Sequence, residues 1–174
     1  TKEDILLLDV LPLSLGIETM GDLSEKIIPR NTSIPITAKK TFTTFKDGQS
    51  KLLVHVIQGE RELVSDCKSL GKIILENIPP MISGMPRIEV EFQIDADGIL
   101  SVTATELNSQ SRATTTIKPT FGLSEEDITN MISEANETAD EDKNVRRLNE
   151  SKIEAERVIY ALEQALSSDA NDLL

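Results

Sequence analysis

Residues 87–94, RIEVEFQI, alternate polar and apolar side chains without a break. Successive side chains of a strand point to opposite faces, so Ile88, Val90, Phe92 and Ile94 share a core face while Arg87, Glu89, Glu91 and Gln93 meet water. A strand with one wet face belongs in an antiparallel sheet. Asp95-Ala96-Asp97-Gly98 follows with the Asp and Gly residues of a tight hairpin that needs a positive φ, and ILSVT at 99–103 is the returning strand. The same tetrapeptide begins like a calcium loop, but Ile99 and Leu100 stand where a ligand and the required glycine belong, which leaves the turn reading.

Similar grammar extends from residue 13 to about residue 119. KIIPRN, TFTTF, KLLVHVI, ILSVTAT and ATTTIKP are rich in Val, Ile, Thr and Phe, several of them alternating, with turn residues between. Aromatic residues make up only 3% of the chain and there is no Trp, so the core must be aliphatic. Around Phe121 the period changes. Ser124 is a helix N-cap candidate, with Glu125, Glu126 and Asp127 in the first turn and apolar residues at 128, 131, 132 and 135. A second helical pattern runs through Val145, Leu148, Ala155, Ile159, Leu162 and Leu166; its other faces are charged, so only a narrow stripe can be buried. A stripe that reaches Leu173 and Leu174 without a partner helix reads as cut off. The expected fold is mainly β: a linker at 1–9, an antiparallel β-sandwich at 10–122 and a truncated α-helical segment at 123–174.

Charge narrows the function. The net charge is −12, with 13 basic and 16 acidic groups in residues 1–122 against 5 and 14 in 123–174. Such a surface repels phosphate backbones, so nucleic acid is not an expected partner. No run approaches the roughly 18 apolar residues of a membrane span, and the opening TKEDILLLDV has acidic flanks and no small-residue cleavage site. Cys67 is the one cysteine, so no intramolecular disulfide can form; a reducing, cytoplasmic setting is expected. Catalysis finds little support. The one histidine, His55, lies inside KLLVHVI and reads as a structural strand residue, and no nucleophile elbow, phosphate loop, dinucleotide fingerprint or metal-ligand spacing occurs. The acidic pairs Glu89 with Glu91 and Asp95 with Asp97 fit a wet strand face and a turn. The chain reads as a binding domain rather than an enzyme.

Three apolar side chains stand where burial is not required: Met20 at a strand end before Gly21, and Phe42 and Phe45 around Thr43-Thr44, just ahead of the Asp47-Gly48 turn. They either plug the end of the core or close over an extended chain lying between the two loops, for which a soft thioether and a ring are suited.

The blocks DVLPLSLGIETMG, IPRNTSIP, FTTFKDGQ, HVIQGERE, GMPRIEVEFQIDADGILSVTA and GLSEEDI occur in order and together resemble the substrate-binding half of the 70-kDa heat-shock chaperones. The resemblance spans Leu6 to about Ser168. It implies a peptide groove at Ile17, Thr19, Met20, Phe42, Thr43 and Thr44, a central pocket at Leu52, Val54 and Ile88, and an arch in which Met20 meets Phe45. Many relatives carry a small residue at the Phe45 position, so this arch is expected to be bulkier. Leu6, Leu7, Leu8 and Asp9 correspond to the linker that docks on the ATPase domain. The helical segment corresponds to a lid, in which Asp47 and Asp142 match latch positions while Ser83 and Tyr160 replace the usual Arg and His. Lid closure is therefore expected to be weaker than in the general chaperone, with a hydrogen bond between Asp47 and Tyr160 still available.

FTTFKDGQ, GERELVSDCKSLG and IKPTFGLS are more similar to the bacterial branch that assists iron-sulfur cluster assembly than to the general stress branch. That branch implies as partners a scaffold protein carrying a Leu-Pro-Pro-Val-Lys segment, a J-type cochaperone and the chain's own ATPase domain, where ATP and Mg would bind; no cofactor is expected in these residues. A general stress chaperone binding unfolded proteins is the alternative within the family. A β-sandwich scaffold or adhesion module, which would have no groove, is the rival outside it.

Overall fold

The computed structural model describes residues 10–44, 46–119 and 122–172. Leu6, Leu7, Leu8, Asp9 and Phe45, and with them the expected linker and one arm of the expected arch, lie outside the described residues. Eight strands are present among the described residues: β1 (Leu15–Thr19), β2 (Leu23–Ile28), β3 (Ile36–Phe42), β4 (Leu52–Gln58), β5 (Lys68–Leu75), β6 (Ile88–Ile94), β7 (Leu100–Glu106) and β8 (Arg112–Ile117). They form two four-stranded sheets, ordered β2-β1-β4-β5 and β3-β6-β7-β8. Every named pairing is antiparallel.

The alternation in β6 works as expected: Ile88, Val90, Phe92 and Ile94 are buried and Gln93 is exposed. Between β6 and β7, Gly98 adopts φ +80°, and Asp95 Oδ1 accepts the N–H groups of Asp97 (2.9 Å) and Ile99 (3.0 Å). The core joins the inner faces of both sheets, with Leu15, Ile17, Val54, Val56 and Leu75 from one and Ile88, Phe92, Leu100 and Val102 from the other. An aliphatic core of this kind gains about 25 cal/mol per Å² of apolar surface withdrawn from water. Strand β5 went unread in the sequence because Gly71 interrupts its apolar pattern.

Two helices follow, α1 (Glu125–Glu137) and α2 (Ala139–Asp172). Ser124 starts α1 with a reciprocal capping box: its Oγ accepts from Asp127 N–H (3.1 Å), and Asp127 Oδ2 accepts from Ser124 N–H (3.0 Å). At 34 residues, α2 is about 50 Å long. The apolar stripe expected to be its buried face is instead exposed, at Leu148, Ile159, Leu162 and Leu166. The helix meets the sheets through another face, on which Asp142, Arg146, Asn149 and Tyr160 contact charged and polar groups and Ile153 packs over Gly21.

Cys67 packs beside Gly59 and donates weakly to the carbonyl of Arg61 (3.5 Å). Burial pushes its thiol up to about 11. Since the thiolate is the nucleophile, alkylation by iodoacetamide at pH 8 is expected to run about 100-fold slower in the folded protein than in urea. Equal rates would mean that the thiol is not buried.

Candidate binding cleft

Between the ends of the sheets and the underside of α2 lies an open cleft of about 1320 Å³. Strand parity builds its walls. Ile17 on β1 and Val54 on β4 are both buried and face it, as does half-buried Leu52 at the start of β4. Phe42, the last residue of β3, and Val90 on β6 add to the apolar lining, with Leu23, Leu53 and Pro86 further out. Met20 stands at the rim with 43% of its surface exposed, in the turn between β1 and β2.

Of the residues expected in the groove, Ile17, Thr19, Met20, Phe42, Thr43, Leu52 and Val54 line this one cleft. Two are placed elsewhere. Thr44 is buried, its Oγ1 has no hydrogen-bond partner among the described residues and its carbonyl accepts from Gly84 N–H (3.1 Å); it does not line the cleft. Ile88 is fully buried beside Phe42 in the β3–β6 register, and Val90, on the same face of the strand, takes the lining position.

His55 ties three strands together. Its Nδ1 lies 2.8 Å from Glu18 Oε1 on β1 and its Nε2 lies 2.7 Å from Ser69 Oγ on β5, so the imidazole braces the sheet that carries Ile17 and Val54.

The roof is α2, which contributes Arg146, Ile153 and Arg157 to the lining. From Asp142 to Tyr160 the helix is held over about 27 Å of its length. At one end Arg61, in the loop after β4, makes a two-pronged contact with Asp142: Nε donates to Oδ2 (2.7 Å) and Nη2 to Oδ1 (3.0 Å). In the middle, Asn149 donates to the carbonyl of Gly21 (2.8 Å), and Ile153 Cγ1 lies 3.2 Å from where a Gly21 Cβ would begin. Gly21 has φ +84°, so a side chain there would be both strained and crowded. At the far end Tyr160 Oη accepts the N–H of Asp47 (3.1 Å), while the Asp47 carboxylate accepts the N–H of Ser83 (2.7 Å). The expected contact between Asp47 and Tyr160 therefore exists, but it uses the Asp47 backbone, and Ser83 participates through its own backbone N–H. Sequence reasoning missed Arg61 and Arg146, whose partners lie 81 and 84 residues away and leave no local pattern.

The Arg61 hydrogen bonds hold the Asp142 carboxyl below its usual range, against the burial that opposes ionisation and with help from the Glu62 N–H. The pairing with Asp142 raises the Arg61 value further above an already high one. A depressed native value means that the stabilisation is complete above the unfolded-state value near pH 4 and is lost as the pH falls through the native one. Amide-exchange protection at the start of α2 is thus expected to hold from pH 8 to 5 and to fail only below about pH 4. Loss between pH 5 and 7 would contradict this pairing.

Among the described residues, no helix is long and apolar enough to cross a membrane, and no group of three or more His, Cys, Asp or Glu side chains is placed to hold a metal ion. A family model described as "Hsp70 protein" matches residues 1–174. Similar curated proteins carry the name "Chaperone protein HscA homolog". The one from Methylobacillus flagellatus is 55% identical over 172 residues, covering 99% of this chain and 28% of that protein. Those from Haemophilus influenzae and Acinetobacter baumannii are each 55% identical over 174 residues, covering all of this chain and 28% of theirs. The chain thus spans little more than a quarter of the length of these relatives.

Proposed function

The chain belongs to the Hsp70 family, and from that premise we propose that it is the substrate-binding part of a chaperone, with residues 10–122 gripping a short extended apolar peptide and 123–174 acting as the lid. The observation that carries this reading is the cleft itself, apolar in its walls, open enough for a chain and roofed by a helix held at Asp142 and again at Tyr160. One aliphatic side chain buried among Ile17, Leu52, Val54 and Val90 gains roughly 1.5–3 kcal/mol. Backbone hydrogen bonds from the rim would add affinity without demanding one sequence, which suits reversible capture. Met20 forms one side of the rim; in this reading Phe45 forms the other.

The names of the relatives favour the iron-sulfur branch, as do FTTFKDGQ and GERELVSDCKSLG. The proposed client is a Leu-Pro-Pro-Val-Lys segment of a cluster scaffold protein, delivered with a J-type cochaperone. ATP and Mg would act in an ATPase domain outside these residues, coupled through Leu6, Leu7, Leu8 and Asp9. The test is fluorescence anisotropy with two labelled heptapeptides, one containing Leu-Pro-Pro-Val-Lys and one generic and Leu-rich. Saturable binding of both, tighter for the first, is expected. Equal affinities would favour a general chaperone, and no saturable binding of either would favour a scaffold module without a groove.

A further inference from the structure

Beyond the Arg61–Asp142 pair, the charged contacts between α2 and the sandwich converge on Arg146, one turn further along the docked face. The Arg146 guanidinium donates to the carbonyl of Ser24 (3.0 Å), to Glu62 Oε2 (2.5 Å), to Glu25 Oε2 (3.4 Å) and to Glu150 Oε1 (3.0 Å). Ser24 and Glu25 lie on β2 and Glu62 in the loop before β5, so three of the four partners belong to the sandwich. Glu25 is also paired with Lys40 of β3, which fixes the acceptor in place. Only 27% of the Arg146 side chain is exposed, so its ion pairs are partly withdrawn from solvent. Arg146 also borders the cleft, one turn before the Asn149 contact and two before the Ile153 contact over the turn that carries Met20.

We propose that Arg146 is the clamp that sets how long the cleft stays closed. Its role differs from that of Arg61. The Arg61–Asp142 pair anchors the start of α2 and can persist while the rest of the helix swings away. Arg146 must release Ser24, Glu25 and Glu62 together before the helix can lift from the Met20 turn. A planar guanidinium engaging several acceptors at once is suited to that all-or-none release, and lysine could not reproduce the fork. Arg146 is a positioning residue: it acts on the bound chain by holding the roof. The inference rests on the peptide-cleft reading, so its test separates the two.

The experiment measures dissociation of a fluorescein-labelled heptapeptide with a central Leu from the full chain. The variants are Arg146→Gln, Arg146→Glu, Glu62→Arg and the exchanged pair Glu62→Arg/Arg146→Glu, with helix content checked by circular dichroism. Arg146→Gln is expected to speed dissociation about fivefold to tenfold, and either single charge reversal more than that. The exchanged pair should recover most of the loss, which a merely structural disturbance would not. Raising the salt concentration should speed release from the native chain and have less effect on Arg146→Gln. Native-like dissociation from Arg146→Gln, or an exchanged pair no slower than the worse single reversal, would overturn the clamp. If the native chain binds no peptide, the cleft reading fails instead. Amide exchange at 146–160 then still decides the clamp, with faster exchange in Arg146→Gln supporting it and unchanged exchange overturning it.

Discussion

Leu52→Asp is expected to weaken peptide binding by on the order of 100-fold or more. The change removes an aliphatic wall worth about 1.5–3 kcal/mol to a buried side chain, and it requires a carboxylate to be desolvated when the peptide seats. Each 1.4 kcal/mol is about tenfold in affinity, so the two effects together exceed about 3 kcal/mol. The fold should tolerate the change, because Leu52 is half-buried at the first position of β4 and faces a cleft open to water. Anisotropy titration with a circular-dichroism melt on the same sample checks both halves. A folded variant with native affinity would remove Leu52 from the site.

Phe92→Ala should produce the largest loss of stability, about 3–5 kcal/mol. Phe92 is the bulkiest of the fully buried side chains and lies opposite Ala38 and Val102, small and medium neighbours that cannot collapse into the space it would leave. For a chain of this size that corresponds to a Tm lower by about 6–20 °C. Ile74→Ala, at a site 56% exposed on the outer face of β5, should move Tm by no more than about 2 °C and serves as the comparison. Similar melting shifts for the two would mean that the core does not lie between the sheets as described.

These contrasts show where sequence reasoning reached its limit. Parity along a strand is local, so the buried faces of β6 and β7 and the turn joining them could be read directly. So could the start of α1, because Ser124 and Asp127 complete one motif within four residues. Parity does not say how far along a strand a residue lies from a cleft. Ile88 and Val90 point the same way, and only the pairing of Ile88 with Phe42 decides which is packed behind and which lines the opening. The helix posed a different problem. Its apolar stripe obeys the period of a buried face, yet the docked face is held by Arg61, Arg146 and Asn149, whose partners are set by tertiary approach. The family resemblance located most of the cleft residues because they fall within matching blocks. It pointed to Asp142 at the start of the helix but to neither its partner Arg61 nor Arg146, since the positions it paired with Asp47 and Asp142 were Ser83 and Tyr160.

The most direct measurement is a methyl-resolved NMR titration of the full chain with a heptapeptide containing a central Leu. The account predicts saturable shifts at Ile17, Met20, Leu52, Val54 and Val90, and little change at Ile74 on the outer face of the same sheet. Shifts confined to Ile74, or to the exposed Leu162 and Leu166 of α2, would contradict it.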